Sequence, residues 1–312
     1  MSKWQIKGGN ASTRPFMDEC FFCLEESTMH KKRIRNRIIW SLVAVLIVIA
    51  GWFSFGPTSN TTKNQKEVVV GVVGQTKQDA EIWKSVAETA EEEYGIKIKI
   101  KNFTDYNQPN KALQNGDIDL NAFQHYTFLN AWNKANHGSL VAIGNTYIAP
   151  IRLYSKKYKS IKDLPQGATI AVPNDASNES RALYVLKNAG LINLKKGVKL
   201  ATVADITSNP KGLKIKEVSA EQTARVIDDV DASIVNNTYA VPAKLGDKQT
   251  IYIEPLNKDS EQWINIIVAN KKDKNNKIYK DLVKAYQTEK TKKLSDKLYG
   301  KTEVAAWGLK LK

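Results

Sequence analysis

The chain of 312 residues has only two cysteines, Cys20 and Cys23, and only three histidines, His30, His125 and His137. Everything after residue 23 therefore folds without a disulfide. Cys20, Cys23 and His30 supply three possible zinc ligands where a structural site takes four at fixed spacing, so no metal is assigned. The sequence also lacks a G-x-S-x-G elbow, an H-E-x-x-H helix and both glycine-rich phosphate fingerprints; Gly71 and Gly74 follow a strand, but Lys77 is not followed by Ser or Thr. These absences argue against exported hydrolase chemistry and nucleotide binding. No catalytic residue and no cofactor is expected, and the two glycines are read as an anion pocket at a helix N-terminus.

Charge is absent from residues 38 to 62, and 38 to 55 is almost continuously apolar. As a helix those 18 residues rise about 27 Å, enough to cross a bilayer. The stretch 31–37, KKRIRNR, precedes the run and Lys63 is the first charge after it, so the positive-inside rule keeps residues 1–37 in the cytoplasm. Residues 56–65 then form a tether to an extracytoplasmic domain. Residues 49–52, IAGW, resemble a lipobox with Trp52 where the lipidated Cys would stand, and the run reads as an uncleaved anchor rather than a cleaved signal. Met29 offers a second start directly before the basic stretch, which would leave 1–28 untranslated. Net charge is +15. Residues 1–37 hold eight Lys and Arg against four Asp and Glu, and the remainder 39 against 28. This surplus is scattered as pairs such as Lys195 and Lys196, without an aromatic-interleaved stripe, so nucleic acid is not an expected partner.

Beyond the tether, strand and helix periodicities alternate. Residues 67–73 form an apolar strand, 78–94 place Ile82, Val86 and Ala90 at helical spacing with Gly95 as the stop, and 96–101, IKIKIK, alternate as a half-exposed strand. Further strands are predicted at 117–122, 140–153, 168–172, 213–218, 231–236 and 264–269. Helices are predicted at 124–135, 178–189, 220–228, 275–289 and 291–299. The succession implies an α/β fold with parallel sheets.

Residues 121–125, NAFQH, follow the acidic stretch 116–120, GDIDL, and extended geometry puts Phe123 and His125 on one face. Around them stand 103–110 (FTDYNQPN), 144–147 (GNTY), 172–181 (VPNDASNESR) and 235–240 (VNNTYA). In that order and spacing, over roughly residues 66 to 308, the chain resembles the methionine-binding, NlpA-type substrate-binding lipoproteins of bacterial ABC importers, here with Trp52 in place of the lipobox Cys. The resemblance implies a two-lobed periplasmic-binding-protein-like fold with the ligand cleft between lobes, lobe one being 66–150 plus 263–312 and lobe two 151–262.

It also implies site residues. A free amino acid needs a cationic clamp, neutral acceptors for its ammonium and an apolar slot. Arg181, in the motif Asn178 to Arg181, falls at the family's carboxylate clamp, helped by the N-terminus of its helix. Asn236 takes the ammonium with Asn178 assisting and Tyr239 beside it; Asn265 is a further candidate, whereas Asn174 and Asn237 read as turn or capping residues. Tyr106, Phe123, His125, Phe128 and Tyr147 match the walls of the side-chain slot, although the family often has Tyr where this chain has Phe128. Arg181→Ala is then expected to cost about 2–5 kcal/mol of binding and leave the fold intact. The implied function is non-enzymatic capture of L- or D-methionine, or a close relative such as a methionine-containing dipeptide, for an ABC permease and its ATPase. The alternative is a membrane-tethered amino-acid sensor with the same cleft and no permease.

Overall fold

Apolar, β-branched sequence makes Glu67–Val73 (β1) a strand, and Thr76 starts the helix that follows through a capping box with Asp79. The computed structural model describes residues 67–311; Cys20, Cys23, the apolar run 38–55 and the tether lie outside them. The described residues belong to one compact unit, Lys63–Lys312. No helix among them is long and apolar enough to cross a membrane.

In chain order, β1 leads into Lys77–Tyr94 (α1), which ends at Gly95 in the left-handed region, φ 64°. Lys97–Phe103 (β2), Gln108–Asn115 (α2), Leu120–His125 (β3), Tyr126–Asn136 (α3) and Leu140–Asn145 (β4) follow. The chain then leaves this sheet through Tyr147–Ile148 (β5) and Arg152–Tyr154 (β6). Thr169–Pro173 (β7), Ala176–Asn188 (α4), Asn193–Leu194 (β8), Ile206–Ser208 (β9), Lys214–Val218 (β10), Ala232–Val235 (β11), Asn237–Ala240 (α5) and Thr250–Ile253 (β12) build the next section. Asn265–Asn270 (β13), Lys277–Tyr286 (α6), Glu289–Tyr299 (α7) and Val304–Ala305 (β14) complete it.

Two five-stranded sheets result, ordered β2-β1-β3-β13-β4 and β10-β7-β11-β6-β12. In each, four strands point the same way and one, β13 or β6, is antiparallel to both its neighbours. Each antiparallel strand is the one that arrives after the chain has crossed from the other sheet, so the fold is a pair of α/β lobes. The second sheet packs α4 through Leu183 and Leu186 against Ile170 and Ile234, all fully buried. The first sheet is covered on one face by α1, α6 and α7 and on the other by α2 and α3.

Three expected elements differ. The predicted strand 140–153 is three strands, because the chain turns between sheets at Thr146 and Pro150. The predicted helix 220–228 is two 3-10 turns, Ala220–Gln222 and Arg225–Asp228. The strand predicted at 117–122 begins at Leu120, since Asp117 closes the turn after α2 with its N–H on the Ala112 carbonyl. The anion pocket expected at Gly71 and Gly74 is also corrected. A Cβ on Gly71 would lie 2.6 Å from Ile118 Cδ1, and one on Gly74, φ +60°, 2.9 Å from Thr238 Cγ2, so both glycines serve close packing. The α1 N-terminus is occupied by the Asp79 carboxylate, which accepts from the Thr76 N–H at 2.9 Å.

Candidate functional site

The carboxyl end of β3 carries the first wall of an interlobe cavity of about 460 Å³. Opposite Ile266 and Ile267 the ladder steps from Gln124 to Ala122, a bulge at Phe123. Strict alternation predicted Phe123 and His125 on one face, and both line the cavity. The bulge brings Gln124 to the wall as well. Gln124 is locked from behind by a buried amide network: its Nε2 donates to Asn110 Oδ1 at 2.6 Å and to Asn121 Oδ1 at 2.9 Å.

His125 is the last residue of β3 and caps α3, its Nδ1 accepting from the Phe128 N–H at 3.1 Å. The ring proton therefore sits on Nε2, which faces Asn178 Oδ1 at 3.4 Å. Burial first, and then the Arg181 charge, push the imidazole down to about 3. It is neutral at any physiological pH.

Aromatic rings form the slot. Tyr106, Phe123 and Phe128 pack in a triangle with centroids 5.7 to 5.9 Å apart, and Tyr147 closes the end at β5. Burial raises the Tyr106 and Tyr147 hydroxyls far above their usual range, so both remain neutral donors. Tyr239, expected at the ligand, stands behind Tyr106 with centroids 5.1 Å apart and is not on the wall. It is three residues beyond Asn236, and the short helix α5 turns it away from the cavity.

The second lobe supplies the polar end. Asp175 caps α4, accepting from the Asn178 N–H at 3.0 Å. Both Asp175 oxygens also accept from Asn178 Nδ2, at 3.1 and 2.9 Å. A carboxylate can only accept here, so Asn178 must turn Oδ1 outward, where Asn236 Nδ2 donates to it at 2.8 Å. This relay fixes the Asn236 amide with Oδ1 facing away from Asn178. That oxygen is the single buried side-chain N or O atom among the described residues without a hydrogen-bond partner. Asn236 holds the N-cap position of α5 yet makes no capping bond, forgoing about 1 kcal/mol of cap stabilisation. An orphaned acceptor lining a cavity is a place for an incoming donor.

Arg181 lies in the second turn of α4, 3% exposed, and lines the same cavity. It is not free. Its Nε donates to Glu254 Oε1 at 3.0 Å and its Nη2 to Glu254 Oε2 at 2.5 Å and the Ala149 carbonyl at 2.9 Å. Nη1 remains for a ligand, and the guanidinium lies 5.0 Å over the Trp263 ring. Glu254 had no distinguishing sequence signal, and neither did the wall residues Gln124, Ala149, Ile151 and Thr238. Asn237, read as a turn residue, is on the wall, while Asn174 is not; Asn265, the further candidate, is.

The lobes meet around this cavity. His125 faces Asn178, and Asn237 Nδ2 donates to Glu303 at 2.7 Å. A ligand here is held from both sides at once.

The NlpA lipoprotein family model matches residues 68–307. A probable D-methionine-binding lipoprotein MetQ of Pasteurella multocida is 43% identical over 226 residues, 72% of this chain and 80% of that protein. The solved structure of a nutrient-binding protein from Burkholderia cenocepacia bound to methionine superposes with a TM-score of 0.73 at 45% identity, covering 77% of this chain and 99% of that one. The substrate-binding protein of a methionine transporter from Streptococcus pneumoniae gives 0.74 at 46% identity, with 78% and 96% covered. With its two α/β lobes, its interlobe cleft and a family match over nearly all of the described residues, this chain belongs to the NlpA lipoprotein family.

Proposed function

We propose that this chain is the extracytoplasmic substrate-binding component of an ABC importer and that its cargo is methionine. The observation that carries the reading is the orphaned Asn236 Oδ1, held by the Asp175–Asn178 relay in the same cavity as Arg181 and the aromatic slot. Arg181 Nη1 takes the carboxylate, Asn236 Oδ1 the ammonium, and Tyr106, Phe123, Phe128 and Tyr147 the thioether. Each sulfur–ring contact contributes about 0.3–1.5 kcal/mol. His125, neutral and donating to Asn178, holds the relay in place, and Tyr239 supports Tyr106 from behind. Methionine bridges the lobes and so favours the closed state, in which both walls touch it.

Calorimetric titration of the full chain with L- and D-methionine and an amino-acid panel tests this. Methionine is expected to outrank glutamine by at least about 3 kcal/mol, the order of the cost of burying an unmatched amide. A preference for a polar side chain refutes the aromatic slot. Asn236→Leu is expected to weaken methionine by about 1.5–3 kcal/mol, the range of a hydrogen bond to a charged group. Unchanged affinity in that variant removes Asn236 from the ammonium site.

Attachment follows from residues 38–55, which we assign as a single-pass, N-in anchor, with Trp52 unable to accept a lipid. Intact mass of the membrane-extracted protein is expected to match an unprocessed chain starting at Met1, residue 2 or Met29. A species starting near Pro57 refutes the anchor.

A further inference from the structure

A second cavity, of about 580 Å³, opens beside the first, between the N-terminus of α1, the helix α5 and the segment after α7. Phe123, Tyr147, Asn237 and Thr238 line both, so one layer of side chains separates them. Its chemistry is different. No Lys or Arg is among its lining residues, whereas two carboxyl groups, Asp79 and Glu303, face it among Thr76, Trp83, Tyr286 and Tyr299.

The two carboxyls are not equivalent. Asp79 is fully employed: Oδ2 accepts from the Thr76 N–H and hydroxyl at 2.9 and 2.8 Å, and Oδ1 from the Tyr299 hydroxyl at 2.6 Å. Glu303 is 4% exposed, and its Oε1 accepts from Asn237 Nδ2 at 2.7 Å. Its Oε2 takes no hydrogen bond from the described residues and, unlike Asn236 Oδ1, is not sealed from solvent. Burial first, and then the Asp79 charge, raise the Glu303 carboxyl well above the usual carboxylate range. A carboxyl in these surroundings ionises only when a cation comes to stand beside it, so an entering ammonium group and the Glu303 carboxylate stabilise each other. Trp83, Tyr286 and Tyr299 are among the cavity's lining residues, so an organic cation there has aromatic neighbours.

We propose that this second cavity is a subsite for an aliphatic primary ammonium group, paired with Glu303, backed by Asp79 and surrounded by the three rings. The group could belong to a separate amine, or to the far end of a ligand that reaches from the first cavity past Asn237 and Thr238. The separate-amine arm is independent of the methionine reading; the elongated-ligand arm rests on it.

The test is calorimetric titration of the full chain in detergent at pH 8 and constant ionic strength with n-butylammonium chloride. Saturable one-to-one binding is expected, absent with n-butanol and weakened at least tenfold in Glu303→Gln, which keeps the acceptor for Asn237. Binding that persists in methionine-saturated protein identifies a separate amine. If methionine displaces it, 4-aminobutyryl-methionine is expected to bind at least tenfold more tightly than N-acetylmethionine and to lose that gain in Glu303→Gln, which identifies one elongated ligand. No saturable binding of either ammonium compound, or equal binding in Glu303→Gln, overturns the subsite. Should Glu303→Gln fail to fold by circular dichroism, Asp79→Asn is read by the same criteria. Failure of methionine itself to bind leaves the n-butylammonium result standing, so the two readings fail separately.

Discussion

Arg181→Ala is expected to lower the unfolding free energy by about 3–5 kcal/mol as well as abolish methionine binding, because it leaves Glu254 buried without its partner. Sequence alone suggested a fold-neutral variant. The bidentate pair with Glu254 reverses that expectation. Urea unfolding of the full chain measures the loss, and a wild-type midpoint in Arg181→Ala would contradict it. Arg181→Met combined with Glu254→Gln removes both charges but keeps an acceptor for the Ile151 N–H, which donates to Glu254 Oε2 at 3.1 Å. That double variant is expected to recover most of the stability and none of the binding. The comparison separates Arg181 as a ligand clamp from Arg181 as a structural counter-ion.

Acid is expected to destabilise the domain through His125. The unfolded chain protonates this ring below about 6.5, whereas the folded state holds it neutral down to about 3. Between those values the unfolded state binds the extra proton, so the stability present above pH 6.5 is lost progressively as pH falls towards 3. At 1.36 kcal/mol per pK unit the full effect is about 4–5 kcal/mol. His125→Gln should flatten the profile in that window. Equal slopes for the two proteins, followed by chemical denaturation from pH 7 to 4, would show that the histidine is not the titrating group. Glu303 acts with the opposite sign: its raised carboxyl favours the folded state below its ordinary range and loses that contribution as pH rises.

Much of this was legible because period and composition agreed. The βαβ succession 67–103 is written in an apolar run, an amphipathic helix and a strict alternation, and the structure follows it. Phe123 and His125 were placed on one wall by strand geometry alone. Gln124 was hidden by the bulge, which no local pattern announces. The helix α2, QPNKALQN, has few apolar residues and escaped the periodicity test, although Pro109 sits where a helix start tolerates it. Glu254 comes to Arg181 from 73 residues away, and a single carboxylate after a short strand carries no mark of its partner. Tyr239 was misplaced because a four-residue helix rotates it off the wall that Asn236 occupies.

The strand β13 sits between β3 and β4, and pairs Val268 with Asn121 across nearly 150 residues of chain. During synthesis, β3 and β4 emerge with no strand between them and wait while the whole of the second sheet is made. At ordinary elongation rates of about 5–20 residues per second that interval is on the order of ten seconds. The second sheet, from Arg152 to Ile253, has no such debt and can close on itself first. The nascent first sheet meanwhile exposes Leu120, Phe123 and Leu140, which are buried in the finished protein, along open strand edges. The same insertion that lets two lobes share one cleft therefore creates a translation-timed window for mispairing, and a holdase acting on the emerging chain would be needed most before residue 265 appears.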